Sequence, residues 1–195
     1  MRTSPRIPRI PRIRRLTTAA TALAAGGLML LPVPAVAYPA APADPGPVSG
    51  ASFQLLNLQT GKCATVAGGV STADNIELVQ FTCDTHPSRR WILTDYNGRS
   101  YRIYNDQTDR CATVAGGESQ EKNVGLVQFT CDTHPSRRWR ITNWDSTSGS
   151  YQIVNVATGL CMTVAGGVST DNNVGLVQYD CDTHPSRRWS LRLAG

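Results

Sequence analysis

No segment of the 195 residues keeps a helical period over three turns, which argues against an α-helical fold. No Cys-x-x-Cys pair occurs, so a zinc site built on Cys and His lacks its usual scaffold, and no metal is expected. The chain has no Gly-rich phosphate loop entering a helix, no nucleophile elbow and no plausible carboxylate pair for a cleft. The constellations that nucleotide, acyl-transfer and glycosidase chemistry require are therefore missing, and the chain is read as a non-enzyme with no cofactor. An excess of positive charge is also lacking where it would matter. The formal charge is +5, but six of the nineteen Lys and Arg lie in the first fifteen residues (Arg2, Arg6, Arg9, Arg12, Arg14, Arg15), leaving 13 basic against 14 acidic. Nucleic-acid binding needs clustered basic residues, so nucleic acid is not an expected partner.

The basic N-terminus leads into an apolar run at residues 16–31, and Ala35-Val36-Ala37 supplies a small-x-small cleavage site before Tyr38. This pattern predicts a cleaved signal peptide over residues 1–37. An uncleaved membrane anchor is the alternative. Pro32 and Pro34 shorten the run and Gly26-Gly27 weaken it as a spanning helix, so no stable membrane insertion is expected after cleavage. Arg14-Arg15 suggests twin-arginine export, although Leu16-Thr17-Thr18 fits that signal poorly. The expected location is extracellular. Residues 38–50 form a Pro/Ala-rich linker.

What is present in triplicate dominates the rest. Cys-Asp-Thr-His-Pro-Ser-Arg-Arg-Trp occurs at residues 83–91, 131–139 and 181–189. Each copy closes a unit opened by Phe53, Tyr101 or Tyr151, with a Cys ten residues on, a second Cys twenty later and the Trp eight after that. One supersecondary module has been repeated, over about 51–98, 99–148 and 149–195. Six Cys behind an export signal imply disulfides, and repeat symmetry selects Cys63–Cys83, Cys111–Cys131 and Cys161–Cys181 among fifteen connectivities.

Within each repeat, short alternating runs lie between Gly, Asn and Asp turns. In the first they start at Phe53, Cys63, Ile76 and Trp91, and the pattern predicts four strands. Ala-Gly-Gly at 67–69, 115–117 and 165–167 predicts a turn with positive φ or a close backbone approach. Three repeats are too few for a propeller, and a sandwich would not explain a threefold period. The expected fold is all-β: a β-trefoil of three four-stranded repeats, each with one disulfide.

The triple repeat, the Cys pair in each copy and the Trp eight residues after the second Cys resemble the ricin-B-type (R-type) lectin family over residues 51–195. The resemblance implies a shallow sugar pocket in each repeat, and this chain departs from the pattern there. Arg89, Arg137 and Arg187 replace a Gln two residues before the Trp. Thr65, Thr113 and Thr163 replace a sugar-orienting Asp, and Ser88, Ser136 and Ser186 replace an Asn. The aromatic platform persists as Phe81, Phe129 and Tyr179. Those nine Thr, Ser and aromatic positions are the candidate carbohydrate-binding residues. Two readings of Phe81 stand: an exposed platform, or a core residue if Val79 and Phe81 face inward. The Asp-Thr-His-Pro-Ser-Arg-Arg segment also reads two ways. It is either a turn, with Asp84 making an Asx bond and Arg89 donating to backbone carbonyls in place of Gln, or a ligand rim. The rim would hold His86, Arg90, His134, Arg138, His184 and Arg188, and would suit an anionic or uronic-acid-bearing glycan.

The function implied by the resemblance is a secreted carbohydrate-binding protein with up to three weak, equivalent sites that gain from multivalency. The alternative is a protein-binding trefoil, an inhibitor or a toxin-type targeting subunit, with the divergent 118–122 loop as its contact. There is no room for a catalytic domain, so the chain is expected to act alone or with a separate protein chain.

Overall fold

A computed structural model describes Asp44 and residues 46–194; the expected signal peptide lies outside the described residues. The first repeat holds strands β1 (Ser52–Asn57), β2 (Cys63–Val66), β3 (Leu78–Phe81) and β4 (Trp91–Thr94). The second holds β5 (Tyr101–Asn105), β6 (Cys111–Val114), β7 (Leu126–Phe129) and β8 (Arg138–Asp145). The third holds β9 (Ser150–Asn155), β10 (Cys161–Val164), β11 (Leu176–Tyr179) and β12 (Trp189–Leu193). Antiparallel pairing runs β1–β4–β5–β8–β9–β12 and back to β1, closing a six-stranded barrel. Closure leaves these strands no free edge to template aggregation. The hairpins β2–β3, β6–β7 and β10–β11 complete the repeats and touch one another through the bridges Glu77↔Val127, Gly125↔Val177 and Val79↔Gly175. The architecture is a β-trefoil.

Alternation places one face of each barrel strand inward. In β1 that face is Phe53, Leu55 and Asn57. Leu55, Ile103 and Ile153 are completely buried at equivalent positions, and Trp91, Trp139 and Trp189 pack beside them. Burying each such side chain contributes about 1.5–3 kcal/mol relative to exposure. Each indole also has a polar atom to satisfy. Nε1 donates to the carbonyls of Ala64 (2.9 Å), Ala112 (2.9 Å) and Met162 (3.0 Å), which tie each Trp to the first strand of its own capping hairpin. The three disulfides join the expected partners.

Buried Asn57, Asn105 and Asn155 link successive repeats. Their Nδ2 groups donate to the carbonyls of Ser186 (2.8 Å), Ser88 (2.9 Å) and Ser136 (2.8 Å), each in the preceding repeat around the ring. The end of the Pro/Ala segment lies against the barrel. Tyr101 Oη donates to the Pro47 carbonyl at 3.0 Å and Tyr151 Oη to Asp44 at 2.9 Å. Burial, followed by Asp44, raises the Tyr151 phenol well above its ordinary range.

Candidate functional site

Each repeat builds one small cleft between its Gly-Gly turn, its third strand and its His-Pro-Ser-Arg segment. The clefts measure about 170, 160 and 250 Å³ in repeats one to three, smaller than a usual ligand pocket. They would hold the edge or end of a ligand rather than enclose it.

The back wall is a hydrogen-bond node centred on a serine. Pro87–Arg89, Pro135–Arg137 and Pro185–Arg187 form single 3₁₀ turns. The Asp before each turn accepts the His backbone N–H at 2.9 Å, the expected Asx bond. Each His caps its turn through Nδ1, which accepts the Ser backbone N–H at 3.2 Å. Ser Oγ lies 2.9, 2.8 and 2.9 Å from the same Nδ1. It also accepts Arg Nη1 at 2.9, 2.7 and 2.9 Å, and it lies 2.9, 2.9 and 3.0 Å from Thr65, Thr113 and Thr163 Oγ1. Nδ1 already accepts an N–H, so the neutral imidazole carries its proton on Nε2. The three serines are fully buried and each is committed to this node. In each repeat the neighbouring Asp accepts the His backbone N–H and pairs with an Arg, not with the imidazole, so these Ser, His and Asp residues do not form a triad.

The side wall is aromatic. Phe81, Phe129 and Tyr179 are partly exposed, and the guanidinium carbons of Arg89, Arg137 and Arg187 lie 4.4, 4.4 and 4.6 Å from the ring centres. Each Arg Nε faces the Asp that opens the segment, at 3.4, 3.3 and 3.5 Å. These arginines bond serine hydroxyls and form ion pairs with carboxylates, rather than bonding the backbone carbonyls expected of a Gln substitute. The floor is the Gly-Gly turn, with φ of 78°, 83° and 77° at Gly69, Gly117 and Gly167. A Cβ there would come within 3.2–3.3 Å of the Ser Oγ, so positive φ and close approach both apply.

The structure brings most of the expected residues together. Thr65, Thr113 and Thr163 line the clefts, as do the three aromatics and His86 and His184. Ser88, Ser136 and Ser186 stand behind the wall as organisers. Arg90, Arg138 and Arg188, expected at the rim, line none of the clefts. They follow Arg89-type residues at a strand entry, where successive side chains diverge. Their guanidiniums instead bond Thr85 O, Asp95 O and Asn143 O at 2.9, 3.0 and 3.0 Å.

Asn75, Asn123 and Asn173 were not foreseen. Asn173 lines the first cleft, Asn75 the second and Asn123 the third, so every cleft is completed by another repeat. Each sits at φ of 64–65°, a region Asn tolerates better than most residues. Each donates its backbone N–H at 2.9 Å to the carbonyl of Gln128, Gln178 or Gln80. Those buried glutamines reach back with Nε2 to two carbonyls of the same loop, as Gln128 does to Ser71 (2.8 Å) and Ala73 (2.7 Å). A loop Asn recurring in each repeat was the only available signal, and it did not reveal which cleft it joins.

The family follows from comparison. Residues 51–189 match the ricin-type β-trefoil lectin domain. The chain belongs to that family. No curated protein matches it. Among solved structures, a designed 3-fold symmetric protein aligns at TM-score 0.67 and 20% identity, covering 72% of this chain and 97% of that one. A ricin B-like lectin from Macrolepiota procera, in complex with lactose, aligns at TM-score 0.64 and 11% identity, covering 76% and 99%. An exo-β-1,3-galactanase from Clostridium thermocellum aligns at TM-score 0.68 and 26% identity, covering 73% of this chain but only 30% of that enzyme. Within the ricin-type domain, this chain places an arginine against each aromatic wall.

Proposed function

We propose that this ricin-type trefoil is a secreted carbohydrate-binding protein with one glycan cleft in each repeat. The observation that carries this reading is the same arrangement built three times. An aromatic ring, an Arg and an Asn converge on an open cleft in front of a buried Thr–Ser–His node. An aromatic face suits the apolar C–H patch of a sugar, and neighbouring donors suit its hydroxyls. Three shallow clefts on one body favour polymeric ligands, because multivalency raises avidity without new contacts. Export agrees with three disulfides, which persist in oxidising compartments. A glycan array and a polysaccharide pull-down test the reading. Retention on at least one glycan is expected. A folded protein that binds none, and instead co-purifies with a protein partner through the 118–122 loop, would replace it with the protein-binding alternative.

A further inference from the structure

The three clefts share a floor and a back wall but differ at the mouth. We propose that the first and third bind the carboxylate of an acidic sugar, and that the second is blocked to it by the protein's own Glu118. This rests on the glycan-binding reading and names its ligand class.

The argument begins with the imidazole. Nδ1 of each His accepts a backbone N–H, so Nε2 presents a donor. In the second repeat that donor already faces an anion: Glu118 Oε1 lies 3.5 Å from His134 Nε2. The equivalent residues, immediately after the Gly-Gly turn, are Val70 and Val168, exposed and without an acceptor. All three imidazoles stand beside the second glycine of their Gly-Gly turn, so the difference at the mouth of the second cleft is Glu118 itself. Glu118 thus marks where a ligand carboxylate would sit in the other two repeats.

The remaining lining agrees with an anion. None of the residues lining the three clefts is acidic. In the first and third clefts, Arg89 and Arg187 use Nε toward Asp and Nη1 toward Ser, and Nη2 makes no hydrogen bond among the described residues. A guanidinium edge beside an imidazole N–H supplies charge-assisted donors suited to a planar carboxylate. Outside the lining of the third cleft, Lys122 stands with Nζ 5.3 Å from the Tyr179 ring centre and is already paired with Asp180, so it adds no free charge there. The third cleft is the largest of the three, about 250 Å³.

The chain has three histidines, one per repeat, so side-chain nitrogen–proton NMR reads the clefts separately. The probes are the methyl glycosides of glucuronic and galacturonic acid, with methyl glucoside and methyl galactoside as neutral counterparts, all at fixed pH. Signals are assigned with single His→Gln variants. The acids should move His86 and His184 and leave His134 in place, the neutral sugars should move none as strongly, and Glu118→Val should bring His134 into the response. Equal response to neutral sugars, a wild-type His134 shift matching the others, or no response to either acid would each overturn the proposal. A glycan array positive for neutral sugars alone would overturn only this inference; a blank array would remove the broader reading with it.

Discussion

The guanidinium carbon of Arg89 lies 4.4 Å from the centre of the Phe81 ring. One face of the ring is therefore covered by a cation, and the same pairing recurs in the other repeats. The clefts consequently depend on the planar shape of arginine as well as its charge.

Arg137→Ala should destabilise the protein by about 1–3 kcal/mol, from the lost cation–π contact and the lost bond to Ser136. Arg137→Lys should recover little of this, because an ammonium cannot stack as a plane. Urea denaturation of the two variants checks the expectation; full recovery in the Lys variant would contradict it.

Gln178→Ala removes the two bonds that hold the 119–121 carbonyls and, with them, the approach to Asn123. A loss of about 1–3 kcal/mol is expected from carbonyls left without their buried donor. Hydrogen exchange at the Asn123 amide should accelerate, and ligand response should weaken at His184 while His86 is unaffected. Asn123→Gly should reproduce the binding loss with little cost in stability, since Gly accepts the same positive φ.

Removing the first disulfide by Cys63→Ala with Cys83→Ala should cost about 3 kcal/mol in the chain-entropy model for a loop of 20 residues. The denaturation midpoint should fall while the unfolding transition stays single, because the barrel strands of all repeats pair in one ring.

Alkaline stability should depend on Tyr151. Burial first and Asp44 second raise its ionisation in the folded state. The folded protein then holds a phenolic proton that the unfolded chain releases near pH 10, so stability is complete below that pH and falls above it. Tyr151→Phe should flatten the decline that begins above about pH 10. Denaturation curves across that range measure it.

The fold was legible because its signals are local and periodic. Trp91, Trp139 and Trp189, the Cys pairs and the alternating strands all lie within single repeats. The clefts were only half legible. Thr65 and Phe81 come from one repeat, and the spacing to its Trp locates them. Asn75 joins the second cleft through a loop held by Gln128, a contact across 57 residues between Gln128 and Ser71. No periodicity inside a repeat encodes a contact between repeats. The roles of Arg89 and Arg90 depended on which side of the 3₁₀ turn each side chain leaves, and adjacent identical residues give no sign of that. Glu118 was visible as a departure from Val70 and Val168, but its meaning needed His134 beside it.

The first and last strands of the trefoil are neighbours: Phe53 pairs with Leu193, and the Ala194 amide donates to the Ser52 carbonyl at 2.9 Å. A circular permutant would exploit this. Joining the chain near residues 51 and 194 by a short tether and reopening it at residues 95–100, between β4 and β5, would preserve every barrel pairing except the covalent order. The repeats have no structural first member, and new termini at that bend would place a fused partner beside a junction of the engineer's choosing.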